Sequence, residues 1–294
     1  TGIFRGSGRA ITKIVRSGQS APDGNGVFAL TDSDVNCSMN NAGRVAFEAS
    51  LTGTSGGTSD DSGIFSGSGG AVLQIAREGQ SAPDGNGVYS NLGYQITNAA
   101  SQVAFLAYMT GTSGGVSDNN GIFRWSGGTV TQIIRAGQSV PDGNGLILDV
   151  GAPILNNSGH VAVRTNLTGT SGGFADNVGI YILDGTDMIQ VARENQTIAG
   201  STITGLTFAT GTDERNGLNE FGQVAYKADL ADGRDVVAVF TPELHWRAGG
   251  SGNWQQTDNW TLGIAPGELY DVLIDPAGSV NVAGRSTNTT VKSL

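Results

Sequence analysis

The sequence has one cysteine, few charged residues and no long hydrophobic run, and each shortage excludes a class of protein. Cys37 is the single cysteine among 294 residues, which leaves no disulfide framework and no thiolate metal cluster. Charged residues make up 14% of the chain and the net charge is −10, a field that repels nucleic acid and anionic lipid. The apolar runs fall far short of the ~20 residues of a membrane helix. We therefore expect no nucleic-acid partner and no direct membrane insertion of this segment.

Glycine, by contrast, is abundant, with 47 residues. The glycines separate short apolar runs, as turn residues do in all-β proteins. No segment keeps an apolar period of 3.6 residues between capping residues, so the sequence predicts very little helix.

Internal repetition is the strongest signal in the sequence. Four similar segments begin at asparagines spaced 58, 58 and 63 residues apart. They are NNAGRVAFEAS from Asn40, NAASQVAFLAY from Asn98, NNSGHVAVRTN from Asn156 and NEFGQVAYKAD from Asn219. Further motifs recur in a constant order after them: the loop TGTSGG, a Gly-Ile-Phe run, an apolar run that ends in arginine, and the turn PDGNG.

Each unit of about 58 residues therefore predicts four short antiparallel strands, which cannot bury both faces without stacking on neighbouring units. We expect an all-β tandem-repeat domain at residues 1–241, with units at about 1–39, 40–97, 98–155 and 156–218 and a partial unit at 219–241. The predicted architecture is a β-propeller or propeller-like array, with an open array of stacked sheets as the rival. Residues 223–229 could complete the N-terminal unit and close a ring, or the sequence could be part of a longer array.

The C-terminal segment, residues 242–294, has a different texture and looks incomplete. It predicts short strands at Asp271–Ile274, Ser279–Val282 and Thr290–Leu294, at the spacing of β-solenoid rungs. Its tryptophans either form a carbohydrate-stacking platform or cap the solenoid core; they are Trp246, Trp254 and Trp260.

The repeated asparagine, the glycine or serine three residues later and the Val-Ala-Phe run resemble the NxxGxxAF tandem-repeat family of bacterial surface proteins. The phrase AREGQSAPDGNG at Ala76 also resembles that family. The segment from Trp246 is similar to the start of β-helical repeats in autotransporter-like and PEP-CTERM-type proteins. The resemblance implies export and anchoring at the cell surface, and it implies neither an activity nor catalytic residues.

Charged residues at repeated positions suggest a structural ladder. The arginines follow an apolar strand in each unit: Arg16, Arg77, Arg135 and Arg193. Aspartates precede the second strand at Asp60, Asp118 and Asp176. One hypothesis is that Arg–carboxylate contacts bind each unit to the next; the alternative is solvated loop charges.

The PDGNG aspartates, Asp23, Asp84 and Asp142, fit either tight turns or calcium sites. Asp-Gly and Asn-Gly favour turns, whereas alternating Asp and Asn oxygens could hold calcium. The Asp60-Asp61 loop has the same two interpretations. Calcium is the single cofactor that the sequence suggests.

Catalysis has little support in the sequence. His160 occupies a position that holds Arg44, Gln102 or Gln223 in the other units, so we expect an exposed strand residue and not a catalytic base. The predicted function is that of a non-enzymatic, extracellular or cell-surface structural or adhesive protein, which could self-associate into a filament or sheath through strand edges. The alternative is a module that binds glycans or a surface protein through its TGTSGG loops.

Overall fold

The protein is described here by a computed structural model, which covers residues 1–31, 36–208, 217–284 and 290–293. Five successive antiparallel sheets confirm the predicted all-β class. Helical structure in these ranges is restricted to 3₁₀ turns at Gly57–Ser59, Gly115–Ser117, Gly173–Ala175, Thr257–Asn259 and Thr261–Gly263.

The strands are numbered in chain order. The first sheet contains β1 (Gly2–Ser7) and β2 (Ala10–Arg16), and the second contains β3 (Val27–Phe28), β4 (Cys37–Met39), β5 (Val45–Thr52), β6 (Ser62–Gly67) and β7 (Leu73–Arg77). The third contains β8 (Val88–Thr97), β9 (Val103–Thr110), β10 (Asn120–Ser126) and β11 (Thr129–Arg135). The fourth contains β12 (Leu146–Val150), β13 (Ile154–Leu155), β14 (Val161–Thr168), β15 (Val178–Leu183) and β16 (Met188–Arg193). The fifth contains β17 (Thr197–Ile198), β18 (Ser201–Thr207), β19 (Val224–Leu230) and β20 (Asp235–Phe240).

The sheets are out of phase with the units read from the sequence. The run between PDGNG and the next asparagine was expected to be the last strand of its own unit. In the structure this strand, β8, instead pairs with β9, the Val-Ala-Phe strand of the following unit. The short Asn98 loop forms a hairpin that places β8 directly beside β9, and consecutive strands joined in this way usually pair. A sheet therefore extends from one PDGNG turn to the next repeated arginine.

Consecutive sheets pack face to face, and a separate hydrophobic core fills each interface. Between the second and third sheets, for example, Ala46 and Ile64 pack against Phe105 and Phe123. Equivalent cores lie between the first and second, the third and fourth, and the fourth and fifth sheets. Because the middle sheets are covered on both sides, β9 is buried on both of its faces near its start and does not show a simple polar–apolar alternation.

Strand pairing contradicts ring closure through residues 223–229. Those residues form most of β19, which pairs with β18 and β20, whereas β1 pairs with β2. The N-terminal sheet is thus not completed by the last repeat.

Beyond the repeats, the C-terminal segment contains parallel strand pairs. Here β21 (Leu244–His245) pairs with β23 (Val272–Leu273), and β22 (Gly252–Asn253) pairs with β24 (Val282–Ala283). A single bridge joins Asp271 to Ser293 in the same parallel sense. These rungs agree with the solenoid-like pattern expected from the sequence, although the strands are shorter than expected, and Leu294 lies outside the described residues.

Across the ranges that the structure describes, no helix has the length and apolar character needed to cross a membrane.

The inter-sheet cores predict a large cost for truncating a central aromatic ring. Phe105 is fully buried and its ring lies 5.9 Å from that of Phe123, so Phe105→Ala should lower the free energy of unfolding by about 3–5 kcal/mol. The control Val116→Ala alters a side chain that is 84% exposed and should change it by less than about 0.5 kcal/mol. Urea denaturation followed by far-UV circular dichroism measures both. Equal effects of the two substitutions would contradict the stacked core.

Candidate functional site

The repeated arginines connect the last strand of a sheet to two other segments of the same sheet. Arg77, at the end of β7, donates from Nε to the Asp60 carbonyl over 2.7 Å and from Nη2 to the Asn25 carbonyl over 2.8 Å. Its Nη1 lies 2.7 Å from the Asp23 carboxylate. One guanidinium thus binds the last strand of the sheet to the middle loop and to the PDGNG turn through which the chain enters the sheet.

The same arrangement occurs three times. Arg135 contacts the Asp118 carbonyl, the Asn86 carbonyl and the Asp84 carboxylate, at 2.6–2.7 Å. Arg193 repeats it with the Asp176 carbonyl, the Asn144 carbonyl and the Asp142 carboxylate. All three arginines are almost completely buried. We call this arrangement the arginine clasp: Arg77, Arg135 or Arg193 with its two aspartates and the asparagine of PDGNG.

Arg16 shares the motif position but not the contacts. It lies at the end of β2 and is exposed. The PDGNG turn and the TGTSGG loop that contact the other three arginines precede them in the chain, and residues 1–15 contain neither motif. The four arginines that the sequence placed in register therefore divide into three clasps and one surface residue.

In each clasp the loop aspartate is stabilised as an anion. Asp118 accepts a hydrogen bond from Asn86 Nδ2 at 2.8 Å, and Arg135 lies 3.9 Å away. Burial works against its charge, but hydrogen bonds from Thr112, Asn86 and the Gly114 amide, together with Arg135, hold its pKa below the usual value. Asp176 follows the same pattern, and the pKa of Asp60 is lowered by hydrogen bonds from Thr54 and Asn25 in particular.

These contacts bear on the calcium hypothesis. In the first clasp, Asp23 Oδ1 accepts from the Asn25 amide while Oδ2 faces Arg77. The Asp60 oxygens accept from the Gly56 amide and from Asn25 Nδ2. The oxygens of both aspartates thus accept hydrogen bonds from backbone and asparagine donors, and the PDGNG segment forms a turn that supplies hydrogen-bond acceptors to the arginine.

The TGTSGG loop packs against the PDGNG turn. The Ser55 amide donates to Asn25 Oδ1 at 2.8 Å, and Thr54 Oγ1 donates to the Gly57 carbonyl. Gly26 has φ +95°, and a Cβ there would lie 2.8 Å from the Thr52 carbonyl oxygen, so this close approach requires glycine. Most residues of each loop are nevertheless exposed to solvent, and two of the loops end in exposed apolar side chains, Val116 at 84% and Phe174 at 95% exposure.

At the opposite end of the strands, the repeated asparagines link one sheet to the next. Asn40 Nδ2 donates to the Asn98 carbonyl at 2.9 Å, and Asn98 Nδ2 donates to the Asn156 carbonyl at 2.8 Å. Asn156 Nδ2 continues to the Asn219 carbonyl at 2.9 Å. We call this series the asparagine ladder; it joins four loops that are 58 to 63 residues apart in sequence.

Each ladder asparagine also organises its own loop. Asn98 Oδ1 accepts from the Gln102 amide, and its Nδ2 donates to Gln102 Oε1 at 2.7 Å. The residue three positions after the asparagine needs a left-handed backbone, which glycine supplies in three repeats. Ser101 adopts it at φ +62°, and its hydroxyl lies 3.3 Å from Asn40 Nδ2. Ser101, the departure from the NxxG pattern, therefore keeps the loop geometry and adds a contact to the ladder.

His160 is not the exposed strand residue that the sequence predicted. It is 3% exposed, and its Nε2 lies 2.7 Å from the Leu262 carbonyl oxygen. Since a carbonyl can only accept, Nε2 carries the proton, and Nδ1 accepts from Asn156 Nδ2 at 3.1 Å. Leu262 of the C-terminal segment covers the loop that contains His160. The comparison of the repeats could not predict this burial, because the C-terminal segment is not part of them. With both ring nitrogens engaged, His160 holds a structural position in the ladder.

An ion-pair cluster fastens the C-terminal segment to the repeats. Asp187, in the turn between β15 and β16, accepts from the Leu262 amide at 2.7 Å and from Arg247 Nη1 at 2.8 Å. Tyr270 donates its hydroxyl proton to the Phe221 carbonyl. Leu262 itself belongs to the core between the fourth and fifth sheets. The segment is therefore packed against the last two sheets.

The tryptophans form the core of this segment. Trp260 is fully buried and Trp246 nearly so. The rings of Trp246 and Trp254 stand edge-on to Trp260, with centroids 5.0 and 4.9 Å away. A sugar stacks on an exposed aromatic face, and Trp260 has none, so this geometry favours the core-capping interpretation.

The five antiparallel sheets, the arginine clasps and the asparagine ladder all lie within the residues matched by a family model. The model is that of DUF7453, a family of unknown function, and it matches residues 1–243. The chain belongs to this family. No curated protein matches the chain.

Sequence reasoning missed a second arginine contact. Arg5 and Arg124, each directly after the Gly-Ile-Phe run, donate from Nη1 to the carbonyls of Gly43 and Gly159 in the next repeat. The other two repeats have Ser66 and Ile182 at this position. The shared phrase GIFR was the available signal, but a residue found in two of four repeats does not stand out as a contact.

It also missed a carboxyl cluster in the second sheet. Glu78 is buried, and burial together with Asp61 and Glu48 raises its pKa to about 7. The third sheet has Leu106, Asn119 and Ala136 at these positions. The three carboxyl groups therefore form a feature of the second sheet that the third sheet does not repeat.

The clasp predicts different consequences for two arginines at one motif position. Arg135→Ala should lower the free energy of unfolding by about 3 kcal/mol, because it leaves two carbonyls and the partly exposed Asp84 carboxylate without their donor. Arg135→Lys should recover only part of this, since an ammonium cannot reproduce the planar set of donors. Arg16→Ala is the matched control and should change the free energy of unfolding by less than about 0.5 kcal/mol. Thermal and urea denaturation measure all three; equal destabilisation by Arg135→Ala and Arg16→Ala would show that the clasp contributes nothing.

Buried His160 predicts acid sensitivity of the C-terminal segment. Burial lowers the pKa of His160, with Arg124 adding to the effect and the Leu262 bond, Asp184 and Glu220 opposing it. Below about pH 6.5 the unfolded chain binds a proton that the folded chain does not, so the free energy of unfolding falls as the pH drops through that value. Urea unfolding followed by tryptophan fluorescence, which arises mostly in this segment, should have a lower midpoint at pH 5.5 than at pH 7.5.

The control for this pH effect is His160→Gln, which installs the residue of the two neighbouring repeats. The raised pKa of Glu78 contributes in the opposite direction, because the folded chain takes up that proton first, but it is present in both proteins. The difference between wild type and His160→Gln therefore isolates the histidine, whereas His245→Gln, at an exposed site, should behave like wild type. Parallel pH profiles of wild type and His160→Gln would rule out the role given to His160.

Proposed function

We propose that this chain is an extracellular structural protein of the cell surface, whose sheets form an open, propeller-like array, and that it acts without catalysis. Sheets that follow one another in chain order and pack face to face are the blade arrangement of a propeller. The array serves as a rigid module that spans distance and presents its loops at constant spacing.

The observation that carries this proposal is the recurrence of the same ties along the chain. Three arginine clasps close three sheets at one end of the strands, and the asparagine ladder joins four loops at the other. In a repeat protein each module contacts its neighbours, and stability is roughly a sum of such nearest-neighbour terms. The most regular polar contacts of the chain thus maintain register between repeats, which is what a scaffold needs.

Composition and resemblance support the surface location. Low charge density, glycine-rich polar loops and a single cysteine suit an exported protein. The resemblance to NxxGxxAF surface repeats and the parallel rungs of the C-terminal segment, which are similar to β-helical repeats of exported proteins, point the same way. Self-association into a filament or sheath belongs to this proposal.

A second candidate function is recognition by the TGTSGG loops. The clasps hold these loops at regular intervals, and side chains at two tips are almost fully exposed, Val116 and Phe174. Loops supported by a rigid framework commonly carry recognition. The ligand would be a glycan or a surface protein.

Cys37 allows a direct test of the surface location. Its side chain is exposed, so a membrane-impermeant maleimide added to intact producing cells should label wild type and not a Cys37→Ser variant. Labelling that requires cell lysis would refute the surface proposal. A glycan array probed with wild type and with Val116→Ser/Phe174→Ser separates the two candidates: glycan binding that is lost in the double variant would favour recognition, whereas equal array signals support the scaffold.

A further inference from the structure

One place in the repeat is filled by different side chains in the second, third and fourth sheets. It comprises a residue in the middle of the Val-Ala-Phe strand, the residue just before the following strand and the residue after the clasp arginine. The side chains are Glu48, Asp61 and Glu78 in the second sheet, Leu106, Asn119 and Ala136 in the third, and Arg164, Asn177 and Glu194 in the fourth. The carboxyl cluster is thus one of three ways in which the chain fills the same position.

The third and fourth sheets leave no net charge at this place. In the third sheet the three side chains are neutral. In the fourth sheet, burial raises the pKa of Glu194 and the charge of Arg164 opposes that rise. Arg164 also donates from Nε to the Leu206 carbonyl of β18, in the fifth sheet, at 3.1 Å. Arg164 therefore balances a carboxylate and supplies a hydrogen-bond donor to the next sheet.

The carboxyl cluster reaches the next sheet without an arginine. Glu48 Oε2 lies 3.5 Å from the point that a Cβ on Gly93 of β8 would occupy. Gly93 directly follows Leu92, whose strand pairing makes it the counterpart of Leu206. An ionised carboxylate can only accept hydrogen bonds, whereas a protonated one can also donate. Protonation therefore gives this cluster a donor of the kind that Arg164 provides in the fourth sheet.

The groups around Glu78 favour its protonated form. Glu78 is 9% exposed, and its side chain shares a hydrogen bond with Asp61. Burial, the Asp61 carboxyl and the Glu48 carboxylate raise the pKa of Glu78 to about 7, and a hydrogen bond from the Ser62 backbone opposes them. None of these groups is a cation, so a proton lowers the negative charge of the cluster.

The strand that packs on the cluster brings no compensating charge. β8 lies across β5, β6 and β7 of the second sheet. It contains no charged residue, and its titratable side chains are Tyr89 and Tyr94. Tyrosine is neutral in the pH range in which carboxyls titrate. The charge of the contact between β8 and the second sheet therefore changes with the carboxyl cluster.

We propose that the carboxyl cluster holds a proton shared between Glu78 and Asp61, and that loss of this proton to solvent loosens the contact between the second and third sheets. The corresponding contacts of the third and fourth sheets use neutral side chains or an ion pair and do not need the proton. The array thus has one interface that depends on protonation, at a defined place between β8 and the second sheet. This property belongs to the fold and does not depend on where the protein acts.

The direction of the pH dependence follows from the two states of Glu78. The unfolded chain releases this proton near the ordinary glutamate pKa, about 4.3, whereas the folded chain keeps it up to about pH 7. The contribution to stability is therefore fully present below the unfolded pKa and is lost as the pH rises through the folded pKa. Higher pH loosens this interface, which is the reverse of the effect expected for His160.

Hydrogen exchange followed by mass spectrometry tests the interface directly. β8 is the edge strand of the third sheet and β12 is the edge strand of the fourth, so their amides report on successive interfaces. The intrinsic exchange rate changes with pH in the same way for both strands, and their ratio isolates the local opening. Between pH 5.5 and pH 8.5 the ratio of β8 to β12 exchange rates should rise at least about tenfold.

Three variants show whether the carboxyl cluster causes this rise. Glu78→Gln cannot ionise and should keep the ratio constant over the same pH range. Glu48→Arg installs the arginine of the fourth sheet and should reduce the rise, because ionised Glu78 then has a partner. Glu194→Gln is the matched control at the equivalent place of the fourth sheet and should retain the wild-type rise.

Two results would overturn the proposal: a constant ratio in wild type, or a rise that persists in Glu78→Gln. Circular dichroism melts at pH 5.5 establish that each variant is folded. If Glu78→Gln does not fold, Glu78→Ala takes its place, since it installs the residue of the third sheet, and it should give the same constant ratio.

Discussion

The buried guanidinium of the arginine clasp is the constraint on which the sheet structure depends. It joins three backbone segments that lie up to 54 residues apart, from Asp23 to Arg77. A buried arginine that lost these partners would be costly, because its charge would remain buried without compensating hydrogen bonds. In the second, third and fourth sheets the clasp therefore joins the PDGNG turn, where the chain enters the sheet, to the arginine at the end of the last strand.

The asparagine ladder complements the clasp at the opposite end of the strands. The clasp closes a sheet, whereas the ladder sets the position of the next one. Both use side chains with several hydrogen-bonding groups, so that each residue satisfies its own loop and reaches one neighbour as well. Between these two ends, nonpolar packing fills the interface and supplies most of the driving force. Polar contacts at the ends and apolar contacts in the middle explain how similar repeats keep one register although their core residues differ.

Much of this could be predicted from the sequence because repetition makes equivalent residues visible. The all-β class follows from the motifs at constant spacing. The same spacing suggested that the repeated arginines contact carboxylates between one unit and the next, whereas the structure places these contacts between the segments of one sheet. The sequence did not show at which residue each sheet begins and ends, because a 58-residue period can be divided into units at any point. The hairpin at Asn98 and the clasp at PDGNG decide it, and both are three-dimensional contacts.

Residues that depart from the repeat were the hardest to place. His160 was expected to be exposed because its counterparts are polar and variable, yet a segment 102 residues later in the chain contacts its ring and buries it. Val237 shows the reverse, since its counterpart Ile64 is a core residue whereas Val237 is 82% exposed. In each case the burial of the side chain depends on the segment that packs beside it and not on its position in the repeat.

A double-mutant cycle on Arg135 and Asp84 tests the central claim most directly. If the clasp is a specific tie, the two single substitutions to alanine and their combination should give a coupling energy of about 1–2 kcal/mol. The exposed pair Arg234–Asp232, whose nitrogen and oxygen atoms lie 2.6 Å apart, should give a coupling energy of less than about 0.5 kcal/mol. A coupling energy for Arg135 and Asp84 no larger than that of the exposed pair would contradict the account.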